Sequence, residues 1–223
     1  MILTRLKQKT LLHHERLEKR LDLFHGVNTF EDYRQLLGKF LGFYEPTEEV
    51  LEATFNQSAI NFDFTSRKKT PLLLRDLHSL GIEDTRLLPR CKMLPALDRL
   101  AQAFGCLYVF ESATLGWGIV LKHLSRTLGV TREDGGSFFN SYGDRVVAMW
   151  HDFAQQLRAY ASRPDLEEAI IIAAVNTLVC MDQWMTSSPA AVAPAGQPAE
   201  QAEAAPTDEK AARPPRRDIL RLL

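Results

Sequence analysis

Apolar side chains recur every three to four residues along most of the chain, the spacing of amphipathic helices. The first such stretch, Leu6-Lys7-Gln8-Lys9-Thr10-Leu11-Leu12-His13-His14-Glu15-Arg16-Leu17-Glu18, organises the rest. Read as a helix, it puts Leu3, Leu6, Thr10, Leu17, Leu21 and Phe24 on one stripe. Two histidines fall into that stripe, and Glu18 follows the second by one turn. An imidazole among apolar side chains is either a core group or a metal ligand. In the second case a carboxylate one turn away, directly or through water, takes the proton on one ring nitrogen and leaves the other free. Periodicity does not choose between His13 and His14, which lie about 50° either side of the stripe's centre.

The pattern breaks at His25-Gly26-Val27-Asn28-Thr29, where Thr29 and Asp32 form a loose capping box. The next helix carries Tyr33, Leu36, Leu37, Phe40, Leu41 and Tyr44. Within it Gly38 and Gly42, one turn apart, read as close packing against a neighbouring helix. Pro46 is expected to open a further helix through Val50 and Leu51. Residues 61–70 are polar and irregular, and the cluster Arg67-Lys68-Lys69 reads as a solvated loop. Pro71 to Leu80 is a short helix closed by Gly81. Leu94 to Leu124 is a long helix, ended by Gly129, and Asp134-Gly135-Gly136-Ser137 is a loop with a cap at Ser137. Helices are then expected from Phe138 to Tyr160 and from Pro164 to about Trp184-Met185. Neither strand alternation nor an internal repeat is visible. The expectation is an all-α domain of about seven to nine helices over residues 1–186.

Composition changes the picture at the C-terminus. Residues 187–223 begin as an Ala/Pro-rich tail with almost nothing to bury, and such a segment is expected to be disordered. It ends in a basic and apolar stretch, Arg213 to Leu223, that reads as a docking peptide or a frayed end. The net charge of −1 supplies no field toward nucleic acid or an anionic membrane. The chain shows no signal-peptide-like run and no unbroken apolar run of about 18 residues, so a cytoplasmic, non-membrane protein is expected. Cys91, Cys106 and Cys180 are far apart and read as small core residues.

A second constellation lies in Tyr108-Val-Phe-Glu-Ser-Ala-Thr-Leu-Gly-Trp-Gly-Ile-Val-Leu-Lys-His123. Ser112, Ala113, Gly116 and Gly118 form a strip of small residues, although each glycine costs about 1 kcal/mol in a helix interior. Either another helix packs very close, or a flat ligand lies against the backbone.

With these residues in view, the chain resembles a bacterial, biliverdin-producing heme oxygenase of the type found alongside bacteriophytochromes. The stretch Leu6-Lys7-x-x-Thr10-x-x-x-His14-x-x-x-Glu18 is similar to the family's proximal helix. Tyr33 to Tyr44, Leu107 to Gly116, and Asn176-Thr-Leu followed by Trp184 resemble three further family segments. The resemblance implies His14 as the iron ligand, with Glu18 behind it and His13 at the pocket's edge. It implies Tyr108, Lys7 and Arg145 as partners of the heme propionates, whose orientation selects the carbon that is oxidised. Ala113, Gly116 and Trp117 would line the heme, and Thr114 and Gly116 would hold the waters that deliver a proton.

The family converts heme, its cofactor and substrate, to biliverdin, carbon monoxide and ferrous iron. It uses O2 and electrons from a ferredoxin or a flavoprotein reductase. A bacteriophytochrome is a candidate acceptor of the biliverdin. Lys122, His123 and Arg126 form a basic patch that either meets an acidic electron donor or is simply solvated. Trp117 stands where many relatives have glycine. An indole packed into the core leaves an enzyme, whereas an indole across the site makes a non-catalytic heme carrier or sensor.

Overall fold

Two long helices form the centre of the molecule, α4 (Leu100–Leu128) and α6 (Pro164–Thr186). The structure, a computed structural model, describes residues 2–187. Within these residues lie four further α-helices: α1 (Ile2–Leu21), α2 (Phe30–Asn56), α3 (Thr70–Ser79) and α5 (Val146–Tyr160). Short 3-10 turns occupy Thr65–Arg67, Thr85–Leu87, Phe138–Asn140 and Gly143–Arg145. The expected all-α class is what forms, with six α-helices among the described residues. The expected tail lies outside them from residue 188 on.

Every residue of α4 from Ala103 to Ser112 is buried, as befits a helix that is apolar all round and sits in a core. Gly105 is where α6 crosses it. A Cβ there would lie 2.3 Å from the Ile170 carbonyl oxygen and 2.7 Å from the Ala173 methyl, so no larger residue fits. By length and composition α4 and α6 each suffice to cross a membrane, which counting unbroken apolar runs did not reveal. Here 72% and 50% of their most apolar windows are buried inside the fold.

α1 lies along α6, with Leu6, Thr10 and Leu17 turned inward. Arg5 pairs with Glu167 and Glu168, and Arg20 with Asp182, so the two helices run parallel. The helix stops at Leu21 because Asp22 adopts φ +39°, where a helix cannot continue. Phe24 therefore leaves the helical stripe on which it was expected.

The capping box at Thr29 and Asp32 forms in full and starts α2. Pro46 does not open a new helix; it sits inside α2, which runs on to Asn56. A proline cannot donate to the carbonyl four residues back, here that of Gly42. The backbone N–H of Cys91 donates to that carbonyl instead, at 2.8 Å, so the helix continues without an orphaned acceptor. Gly42 has no room for a side chain, since a Cβ would meet the Pro89 oxygen and the Trp184 ring, each at 2.5 Å. The close packing expected at Gly42 is thus with the strap around Pro89 and with Trp184 of α6.

Two expected helix boundaries move. Residues 94–99 are not helical, and α4 begins at Leu100. The helix expected from Phe138 is two 3-10 turns interrupted at Gly143, φ +52°, and α5 begins only at Val146. Asp76 of α3 holds the first turn in place. Its carboxylate accepts from the Ser137 and Phe138 N–H groups at 2.9 and 2.7 Å and from the Ser137 hydroxyl at 2.6 Å. The Tyr33 hydroxyl fixes the same segment by donating to the Gly135 carbonyl at 2.6 Å.

Candidate functional site

His14 is half-buried on α1, and its Nε2 is enclosed without a hydrogen-bond partner. Burial, and secondarily His13, push its pKa down to about 4, so the imidazole is neutral at pH 7. An enclosed imidazole nitrogen with a free lone pair is a ready metal ligand. His13 is also half-buried, one step round the helix, while Glu18 is half-buried one turn beyond His14. Lys7 is exposed and lies about 20° from His14 round the helix axis, seven residues being close to two turns.

Two contacts set α1 and the turn that follows it against α4. The buried Tyr108 hydroxyl lies against the Thr10 side chain, which lowers the tyrosine pKa against the rise that burial causes. Further along, the Phe24 ring meets the edge of His123 at 5.1 Å between centroids. The order of these contacts makes α1 and α4 parallel. His14, one turn past Thr10, therefore lies level with α4 about one turn past Tyr108, at Ser112.

Trp117 points elsewhere. Its ring centroid is 4.3 Å from that of Phe138, 5.8 Å from Phe139 and 6.4 Å from Tyr44. Nine residues after Tyr108, it is about half a turn round the helix from the side that meets α1. Ala113, one turn earlier, shares the indole's side of α4, whereas Ser112 and Gly116 lie toward α1. The small-residue strip thus divides between two faces. Gly118 is exposed, and nothing lies within 4 Å of where its Cβ would be. Close helix packing, which explains Gly105, does not explain Gly118.

A neighbouring side of α4, about 100° round from Ser112, carries an ionic network that sequence reasoning misassigned to a solvated loop. Arg67 and Lys69 are 3% and 1% exposed, and Lys68 is the residue of the trio that reaches solvent, where it pairs with Glu52. Glu111 of α4, wholly buried, accepts from Arg67 Nη1 at 2.7 Å, from the Tyr142 hydroxyl at 2.6 Å and from Lys69 Nζ at 3.3 Å. Lys69 Nζ also donates to the Tyr142 hydroxyl at 2.7 Å. Glu48 accepts the Lys69 and Thr70 backbone N–H groups at 2.6 and 3.0 Å, starting α3. Asp152 of α5 completes the shell around Arg67. Burial lowers the Lys69 pKa, and Glu111 and Glu48 oppose that shift. A signal did exist in the sequence: Glu111 stands in an otherwise apolar helix face and requires a buried cation.

Beside this network a cleft of about 100 Å³ is lined by Thr114, Gly118, Phe139, Ser141, Tyr142 and Val146, among others. The Thr114 hydroxyl donates to the Glu111 carbonyl at 2.7 Å, and the enclosed Ser141 hydroxyl has no hydrogen-bond partner. Arg145 is exposed at the end of the second 3-10 turn, before α5 rather than within it. Lys122 and Arg126 are exposed, and Arg126 lies against His123. So helical register sets His14 level with Ser112, and Thr114 lines the cleft with Ser141. Tyr108 is in the core against Thr10, and Trp117 is in the aromatic cluster.

This arrangement can be set beside known proteins. Chains of solved structures share the fold. The heme oxygenase of Neisseria meningitidis, solved with NO and CO bound, superposes with a TM-score of 0.67 at 22% identity, over 88% of this chain and 98% of that one. The heme oxygenase of Leptospira interrogans gives 0.68 at 18%, over 83% and 98%. A comparison with curated proteins finds no match. The heme oxygenase family model matches residues 1–187, a span that includes every described residue, and the chain therefore belongs to the heme oxygenase family.

Proposed function

We propose that the chain has the activity of its family: it opens heme to biliverdin, with release of carbon monoxide and ferrous iron. O2 and electrons come from outside, the latter from a ferredoxin or a flavoprotein reductase. The observation that carries this reading is the enclosed, neutral, unpartnered Nε2 of His14 on the helix that faces α4. Heme bound between α1 and α4 would supply both the ring to be cleaved and the iron that activates oxygen.

The chain's own residues then have distinct tasks. His14 holds the group through Nε2, with Glu18 orienting the ring. Lys7, on the same side of α1, and Arg145 hold the carboxylates. Tyr108 would join them by leaving Thr10. Gly116 and Gly118 let the macrocycle approach the α4 backbone. The Thr114 and Ser141 hydroxyls line the adjoining cleft and would hold water and pass a proton. Lys122 and Arg126 present positive charge to an acidic electron donor. The indole's packing against Phe138 supports the enzyme over a non-catalytic heme carrier or sensor, which would place Trp117 across the site.

The test is direct. Hemin added to the purified protein should give a one-to-one complex with a heme band. Reduced ferredoxin and reductase, or ascorbate, should convert that band to a bile-pigment band with one carbon monoxide per heme. Heme bound without either product would replace this reading by the carrier, and absence of heme binding would end both.

A further inference from the structure

Cys91 and Cys180, far apart in sequence, line one cavity of about 340 Å³ together with Met93 and Trp184. Both thiols are free. The fold explains the meeting. The strap carrying Cys91 is tied to α2 through the Gly42 carbonyl, and the Pro89 oxygen and the Trp184 ring converge on the same side of Gly42. Cys180 precedes Trp184 by one helical turn on α6 and so projects toward the strap. Met93, two residues beyond Cys91, is 70% exposed, and the Cys91 thiol donates to its carbonyl at 3.5 Å. Burial raises both thiol pKa values, and Cys91 adds to the rise at Cys180.

We propose that this cavity is a binding site for a soft monovalent metal ion, copper(I), with the Cys91 and Cys180 sulfurs as thiolate ligands and the Met93 thioether as the third. Sulfur donors of this kind select copper(I). Zinc is the poorer fit, because it takes four ligands drawn from Cys, His, Asp and Glu. Among the described residues no group of three or more such side chains is placed to hold a metal. Binding releases two thiol protons and changes no oxidation state, leaving the two-thiolate complex with one net negative charge. Arg90 and Lys92 line the same cavity and offset it. Arg90 is already paired with Glu45, which leaves the exposed Lys92 as the nearer counter-charge. The site is independent of the heme reading.

Reduced full-length protein, kept free of oxygen and heme, is titrated with copper(I) in competition with bicinchoninate. One copper per chain should be withdrawn from the chelator, with two protons released. Cys91→Ser and Cys180→Ser should each weaken binding by about 100-fold or more, and Met93→Leu by about tenfold, since even outer partners of a metal are worth 10–100-fold. Cys106→Ala should bind like the parent chain, and circular dichroism should show all four variants folded. Silver(I) added to the unmutated protein should protect Cys91 and Cys180 together from alkylation. Failure to compete with the chelator, unchanged affinity in Cys91→Ser or Cys180→Ser, or alkylation of either cysteine in the presence of silver(I) would each overturn the proposal.

Discussion

The two sides of α4 treat buried polarity in opposite ways. On the side of α3 and α5, Glu111 has three donors, Lys69 has Glu111, Tyr142 and the Arg67 carbonyl, and Arg67 is shared between Glu111, Asp152 and the Met149 carbonyl. On the side of α1, His14 Nε2 is enclosed and has none. Smaller groups, the Thr70 and Ser141 hydroxyls, are also enclosed without partners, but a buried imidazole nitrogen left so is the stronger metal donor. The first side is built for rigidity: it clamps the 137–145 segment, and with it Phe138, onto α4 beside Trp117. The second is where the proposed heme would bind.

Breaking the second side should have the largest effect. His14→Ala should reduce heme turnover by more than the roughly 100-fold that loss of an outer-sphere partner causes. It should also change the ferric spectrum, with added imidazole restoring it. His13→Ala should resemble the parent protein. The reverse pattern would move the ligand by one residue.

Breaking the first side should cost stability. Glu111→Ala leaves the buried Lys69 without its carboxylate partner and Arg67 with only Asp152 of its two, a loss of about 3–5 kcal/mol. For a domain of this size that lowers the thermal midpoint by about 10 °C. A midpoint within 2 °C of the parent would show that the network is not what holds the 137–145 segment.

Trp117→Ala separates the two sides. It should cost about 3 kcal/mol through the cavity left against Phe138. The folded variant should keep the parent heme spectrum and turnover, because the indole lies away from α1. Higher turnover would mean that the indole lies over the heme.

Gly118→Ala sharpens the comparison further, because its two effects have opposite signs. With open space at its Cβ, alanine should stabilise the heme-free protein by about 0.5–1 kcal/mol. The same methyl should weaken heme binding, read by titration. Stabilisation without weaker binding would place the heme elsewhere along α4. The smallest effect is expected from ending the chain after Ser187. Heme affinity and helical signal should stay within error of the full chain, and a large loss would give residues 188–223 a part in the domain.

Much of this was legible because it is local. The Thr29–Asp32 capping box, the αL stop at Gly129, the helix α3 closed by Gly81 and the histidine-bearing stripe of α1 depend on neighbours within a few residues. What misled was equally local. Proline signals a helix start, and Arg67-Lys68-Lys69 signals a solvated loop, as long as no distant partner is known. The partners were a strap 45 residues away, whose Cys91 N–H answers the Gly42 carbonyl, and Glu111 on another helix.

The sequence by itself therefore determined the helices, their inward stripes and the pair of histidines. Side-chain spacing at 3.6 residues per turn suffices for that. Tertiary structure alone decided which buried polar atoms find partners. It tied Arg67 and Lys69 to Glu111, turned Trp117 toward Phe138, brought Cys91 to Cys180 and left His14 Nε2 without one. Those outcomes depend on contacts between segments tens of residues apart, where no local period carries information and only the packed geometry sets the distance.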